Sequence, residues 1–512
     1  MKLILPALIL LFFTSNAICQ TTIDFKAIGD SLFRSADYNG AIVNYTQGIN
    51  NVKNDKSGLA ELLDKRALAE LRLEQHDKVI ADETAAIAEN PILGDAYWNR
   101  GLAYARTEKY QLAIDDYNKA ILTFKGDNER QSKLYDNLGL SKAELKLYKD
   151  AIDAYNQALS LNSKNGKVYW HRAIAFNGNK DYQLAIDDYT MAMFYNQENT
   201  QELATLYDNR GLNKRSLKKY REALNDFNTA LRLNPQRGTA YWHRAYTYHL
   251  NSDHQLAIND YTTAIPFYKN SKEQTAQLLE SRSVDEIAAY QPQKAIDDVT
   301  SAIELYPKNG FTYWTRANIY AQTGNYKLSI DDYNKTMEFF KDNKKVLCNL
   351  HADIASDLYI TKDNKNALKE CNTSIELYPD FCLPYFTRGK LYLKRLENKD
   401  LAIKDFNKVL ELDTTKSTVA YIFSQFYLGH ADTALGKLQE NILKISNSDD
   451  LIRQYYNFAC LYSLLNKPQE ANIYLKKAVD AGYSKSYAAD DEDFDNIRKT
   501  PDYIALMANL GH

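Results

Sequence analysis

The sequence predicts an all-α solenoid, a row of about thirteen short helix hairpins that stack because none can bury its apolar face alone. Three observations carry this expectation. The four tryptophans, Trp98, Trp170, Trp242 and Trp314, stand 72 residues apart. The stretch around the first, AYWNRGLAYARTEKYQLAIDDYNKAI, returns as VYWHRAIAFNGNKDYQLAIDDYTMAM at 168, AYWHRAYTYHLNSDHQLAINDYTTAI at 240 and TYWTRANIYAQTGNYKLSIDDYNKTM at 312. Between these copies runs a second series, LLDKRALAEL at 62, LYDNLGLSKAEL at 134, LYDNRGLNKRSL at 206 and LLESRSVDEI at 278, on the same 72-residue ruler.

The chain opens on MKLILPALILLFFTSNAICQ, with Lys2 ahead of an apolar run from Leu3 to Phe13. That run is too short to span a bilayer, and Ala17 and Cys19 form a small-x-small cleavage site. Residues 1–19 are therefore expected to be a secretory signal peptide, and the mature chain to be exported: periplasmic, secreted or at the cell surface. Cys19 is not expected to carry a lipid. Asn16 and Ile18 stand where a lipoprotein signal usually has Leu and a small residue. No later segment is long and apolar enough for a transmembrane span.

Within each copy the apolar and small residues fall at helical intervals. Tyr97, Gly101 and Tyr104 make one stripe and Ala113, Tyr117 and Ala120 another, with a polar break at Arg106–Lys109 between them. The pattern resembles the tetratricopeptide repeat family, a helix–turn–helix unit of about 34 residues. The resemblance implies a right-handed α-solenoid over residues 22–485, with a concave groove lined by the first helix of each pair. Each 72-residue period is then one repeat of 34 and one of 38 residues. The extra four fall after the second helix of the tryptophan copies, as an added helical turn or a longer loop. A weaker copy, PYFTRGKLYLKRLENKDLAIKDFNKVL, begins at 384, and the first copy and the last two, near Leu428 and Tyr455, are degenerate. Residues 486–512 break the pattern, and Phe494, Ile497, Tyr503 and Leu506 are expected to pack as a terminal cap.

Two columns of the repeat covary inside the chain. Arg66, Arg100, Arg172, Arg210, Arg244, Arg282, Arg316 and Arg388 are each followed sixteen or seventeen residues later by an aspartate. Those partners are Asp82, Asp116, Asp188, Asp226, Asp260, Asp298, Asp332 and Asp405. Copies without the arginine lack the aspartate too: Ile28 goes with Asn44, Leu138 with Ala154, Ile354 with Glu370. Folding each hairpin sets the columns opposite one another, so they are read as bidentate ion pairs rather than as arginines that grip an acidic ligand.

The tryptophan column carries the functional expectation. Trp98 follows the core residue Tyr97, so its side chain points about 100° away around the helix. The resemblance places that direction towards the groove. The same place holds Trp170, Trp242, Trp314 and Phe386 in sibling copies, and Asp64, Asp136, Asp208, Glu280 and Ala352 in the alternate ones. Two readings stand side by side. The indoles are anchors for an extended peptide, or stacking platforms for a glycan, spaced roughly 20 Å apart. Alternatively each packs against the preceding copy with its N–H on a neighbouring carboxylate.

His171 and His243 follow two of the tryptophans and are expected to be exposed polar groups. The pair His249 and His254 lacks the i,i+4 spacing of a helical metal site, and DDEDFD at 490–495 reads as a helix-entry segment rather than a calcium loop. Neither metal nor cofactor is expected, and no HExxH, GxSxG, phosphate loop or dinucleotide fingerprint occurs. With 63 basic and 66 acidic residues the chain has no electrostatic footprint for nucleic acid. Cys348, Cys371, Cys382 and Cys460 follow no zinc spacing and are read as buried apolar residues, with one bridge in the 348–382 region left open. These features together describe a scaffold or adaptor for protein segments, not an enzyme, with glycan binding as the alternative.

Overall fold

A computed structural model describes residues 25–196, 199–445, 448–481, 483, 488–489 and 491–509; the expected leader over 1–19 lies outside them. Every regular element among the described residues is helical. The chain divides into two compact units, Met1–Pro235 and Gln236–His512. The first holds six hairpins, from 25–34 with Tyr38–Asn51 to Thr200–Ser216 with Tyr220–Leu233. The second holds seven, from Gly238–Leu250 with His254–Ala264 to Ser448–Leu464 with Pro468–Asp480.

The double period has a local cause. First helices of the tryptophan copies, such as Gly94–Arg106 and Gly310–Gln322, have 13 residues. Those of the alternate copies, such as Asn128–Glu144 and Lys344–Ile360, have 17. The four extra residues are one added turn at the start of the first helix, about 6 Å of rise. Each added turn is capped: Asp55, Asp127, Asn199, Ser271 and Asn343, again 72 apart, accept a backbone N–H from the first turn. The shorter helices begin instead at Gly94, Gly166, Gly238 and Gly310. A Cβ on Gly94 would lie 2.0 Å from Thr123 Oγ1, so glycine lets the helix start against the end of its own hairpin partner.

Within a hairpin the two stripes meet closely. A Cβ on Gly101 would come within 2.7 Å of the Tyr117 ring, and that ring is almost fully buried. Burying such a side chain contributes about 2–3 kcal/mol, and Tyr155, Phe227 and Phe406 repeat the arrangement against Gly139, Gly211 and Gly389. The connecting turn closes with a left-handed residue, Glu108 at φ 61° or Lys180 at φ 68° for example. That conformation lets the Lys109 N–H reach back to the Tyr104 carbonyl at 2.8 Å.

At the C-terminal end Phe494 and Ile497 are fully buried against Tyr456, Phe458 and Leu461, with Tyr503 beside them and Leu506 packed on the cluster. The four cysteines among the described residues are free thiols, so no bridge forms in the 348–382 region. Cys348 lies instead 3.4 Å from the Ser374 hydroxyl.

Candidate partner-binding groove

All eight arginines meet their aspartates. Arg100 donates from Nε to Asp116 Oδ2 at 2.7 Å and from Nη2 to Oδ1 at 2.8 Å. Arg172–Asp188, Arg244–Asp260 and Arg316–Asp332 repeat this geometry at 2.6–2.9 Å. Burial pushes the Asp188 carboxyl up, whereas hydrogen bonding to Asp116 raises Arg100 further above its ordinary value. A third arm was not legible in the columns. The Arg100 Nη1 reaches Thr84 on the second helix of the preceding hairpin, Arg172 reaches Asn156, and Arg316 reaches Thr300. These arginines thus tie their own hairpins shut and fasten them to the ones before, as Arg66, Arg210, Arg282 and Arg388 also do through Thr46, Thr190, Thr262 and Asn372. The Arg100 guanidinium also lies over the Tyr97 and Tyr104 rings, and Arg172, Arg244 and Arg316 lie over the equivalent aromatic rings.

The four tryptophans are half-buried. Two of them, Trp170 and Trp314, sit in clusters with the following hairpin, while Trp98 shares its cluster with Ile87 of the preceding hairpin as well as with Leu134 and Leu138 of the next. Trp170 joins Leu203, Leu206 and Tyr207, and Trp314 joins Val346, Leu350 and Ile354. Trp98 meets Phe124 edge-on at 6.3 Å, Trp242 meets Tyr268 at 5.3 Å, and Phe386 lies 6.2 Å from Phe406. The indole N–H groups of Trp98 and Trp170 are buried without an acceptor, so the expected indole–carboxylate bond does not form at those two.

Three acids of the alternate copies take a different partner, the residue just after a tryptophan. Asn99 donates to Asp64 at 3.0 Å, His171 Nδ1 contacts Asp136 at 2.8 Å, and Thr315 donates to Glu280 at 3.0 Å. Asp208 is buried. His171 is thus not an exposed polar group: a hydrogen bond to the preceding hairpin draws it in, and His243 is also half-buried. The i,i+4 argument against His249 and His254 also fails, because the turn between their helices swings both rings onto Asp285.

Three first helices of the second unit are occupied by the chain itself. The acidic run, expected to be a helix-entry segment, opens a short 3₁₀ helix, Glu492–Phe494, capped by the Asp491 side chain and packed against Ser448–Leu464. Glu492 accepts from Tyr359 and Arg395 and lies 3.2 Å from Lys394 Nζ. Lys394 also bonds Asp493 at 2.8 Å, and Tyr456 donates to Asp491 at 2.6 Å. Burial works against the Glu492 charge, but Lys394, the Tyr359 hydroxyl, Lys390 and Arg395 together hold its carboxyl below the ordinary value. Three first helices, Lys344–Ile360, Cys382–Lys394 and Ser448–Leu464, with the adjoining Arg395, therefore grip one acidic 3₁₀ turn by its carboxylates and by buried Phe494.

Sequence profiles of the tetratricopeptide repeat match residues 93–164, 137–193, 209–271, 312–343, 384–416 and 452–481, together about half of the chain. The chain belongs to the tetratricopeptide repeat family. Human tetratricopeptide repeat protein 6 is similar, 28% identical over 303 residues that make up 53% of this chain and 57% of the human one. Serine/threonine-protein phosphatase T of Trypanosoma brucei brucei is 30% identical over 109 residues, 21% of this chain and 22% of the phosphatase. The chain thus spans about half the length of the first relative and about a fifth of the second, and the phosphatase match has the length of a few repeats. Among solved structures, a tetratricopeptide repeat protein from Parabacteroides merdae is 21% identical, covering 51% of this chain and 98% of its own, with a TM-score of 0.41. Yeast Tom70 is 17% identical, covering 96% and 99%, with a TM-score of 0.38. Tetratricopeptide repeats are protein-interaction scaffolds, and no helix among the described residues is long and apolar enough to cross a membrane.

Proposed function

We propose that this chain is an exported scaffold whose first-helix face holds acidic segments of partner proteins. One observation carries the reading. Tyr359, Lys390, Lys394, Arg395 and Tyr456 already surround an acidic, phenylalanine-containing segment, residues 491–494 of the chain itself. A face that satisfies three carboxylates and buries one aromatic side chain in cis has the chemistry to do so in trans, as peptide grooves do. The apolar run Leu3–Phe13 with its small-x-small site supports export. The packed indoles lend no support to a glycan ladder. The tryptophans, Phe386, Asp136, His171 and His243 remain proposed partner-facing residues only at their exposed edges, and buried Asp208 is left without such a role.

The test is fluorescence anisotropy with labelled acidic peptides that contain one aromatic residue. The chain carries Glu492→Ala and Phe494→Ala, which loosen its own segment. Saturable binding that Lys394→Ala with Arg395→Ala abolishes supports the proposal. Binding that ignores those two cations overturns it.

A further inference from the structure

His249, His254 and Asp285 come from three helices of the second unit. His249 lies in the last turn of Gly238–Leu250, His254 begins His254–Ala264, and Asp285 belongs to Lys272–Ala288 of the following repeat. Both imidazoles turn Nδ1 towards the same oxygen, Asp285 Oδ1, at 3.0 and 2.7 Å. The two rings stand edge to face, 6.2 Å apart. The aspartate side chain is fully buried, and its other oxygen, Oδ2, has no hydrogen-bond partner. The His249 side chain keeps about a third of its surface open to solvent, so the cluster has one accessible side.

The sibling copies show what packing alone asks of these three positions. Where His249 stands, the other copies have Ala105, Asn177 and Ala321. Where His254 stands they have Tyr110, Tyr182 and Tyr326. Where Asp285 stands they have Ala69, Ser141, Asn213 and Asp357. Both imidazoles and the carboxylate occur together in this copy alone. The Asp357 copy, with the acid but neither imidazole, has its carboxyl pushed by burial up to about 6. Packing is met elsewhere by alanine, tyrosine and a small residue, so it does not call for two nitrogen ligands around one carboxylate.

We propose that His249, His254 and Asp285 bind a divalent transition-metal ion of the zinc class through Nδ1, Nδ1 and a carboxylate oxygen. The candidate ligand atoms lie within 4.8 Å of one another. Tetrahedral coordination at about 2.0–2.1 Å sets ligand atoms roughly 3.3–3.4 Å apart, so each imidazole needs to withdraw from the carboxylate by only about half an ångström. Two imidazoles and one carboxylate suit zinc, cobalt, nickel or copper better than magnesium or calcium. Three protein ligands leave a fourth position, on the side where His249 meets solvent, for water or a partner's side chain. On binding, each neutral ring carries its proton on Nε2 and presents the Nδ1 lone pair. The ion ties the hairpin Gly238–Ala264 to the next first helix, across the same kind of junction that the arginine clamps hold elsewhere.

The test is titration of the full, chelator-treated chain with Co²⁺, read by its visible ligand-field absorption, and with Zn²⁺, read by calorimetry. One ion per chain is expected, with a tetrahedral cobalt spectrum. His254→Tyr and His249→Ala install the residues of sibling copies, so they keep the packing while each lowers affinity at least ~10-fold. Cys460→Ala, at the separate cluster with Asp491 and Asp493, leaves binding unchanged. Circular dichroism checks that every variant keeps its helix content. Absence of stoichiometric binding, or binding that survives His254→Tyr combined with His249→Ala, overturns the proposal.

Discussion

Replacing Arg100 by leucine strands a carboxylate. Asp116 is 3% exposed, and its two oxygens accept from Arg100 at 2.7 and 2.8 Å. Removing one partner of a buried pair costs about 3–5 kcal/mol. The Arg100 side chain keeps 13% of its surface, so water relieves part of that penalty and about 3 kcal/mol is expected. Asp116→Ala leaves a guanidinium that still reaches Thr84 and the tyrosine rings, and about 2 kcal/mol is expected. The double variant copies the apolar solution the chain uses itself at Leu138 and Ala154. It should cost about 2 kcal/mol instead of the sum, a coupling of about 3 kcal/mol. A stacked array need not unfold in one step, so the assay is amide hydrogen exchange of the hairpin Gly94–Thr123 rather than a global melt. Coupling below about 0.5 kcal/mol would refute the idea that these columns are structural clamps.

Three further outcomes are expected. Burial pushes the Asp353 carboxyl from the ordinary aspartate range up to about 7. The folded chain therefore holds this proton where the unfolded chain has lost it, and stability falls as pH rises from about 4 to about 7. Asp353→Asn should match the parent at pH 4 and exceed it by on the order of 3 kcal/mol at pH 8, seen in urea midpoints; an equal gain at both pH values would contradict the assignment. Lys180→Gly relieves a left-handed residue at φ 68° and should stabilise by about 0.5–1 kcal/mol in the same assay, with no gain counting against the strain. Phe494→Ala empties a fully buried site and should cost about 3–4 kcal/mol locally, read as faster exchange of Pro501–Asn509.

Local periodicity made much of this legible and distance hid the rest. The hairpins and the Arg–Asp pairs lie within one repeat, so intervals of three, four and sixteen residues betray them. The repeat length alone does not separate an added helical turn from a longer loop, whereas the cap column Asp55, Asp127, Asn199, Ser271 and Asn343 carries the signal that decides it. His171 and Asp136 are 35 residues apart, one repeat, and matching neighbouring columns finds them. The meeting of His249 with His254 depends on the turn between their helices, which helical spacing ignores. Tyr359 and Glu492 are separated by 133 residues and by a break in the repeat, and no period in the sequence connects them. The tryptophan ruler announced a period, while the partner chemistry sits in residues that do not repeat.

Hydrogen exchange on the full chain, with and without an acidic aromatic peptide, tests the central claim most directly. If the first-helix face exchanges its own segment for a partner's, Lys344–Ile360 and Cys382–Lys394 keep their protection while residues 491–503 lose theirs as peptide is added. Unchanged exchange at 491–503 under saturating peptide, or protection that appears only on second helices, would contradict the account.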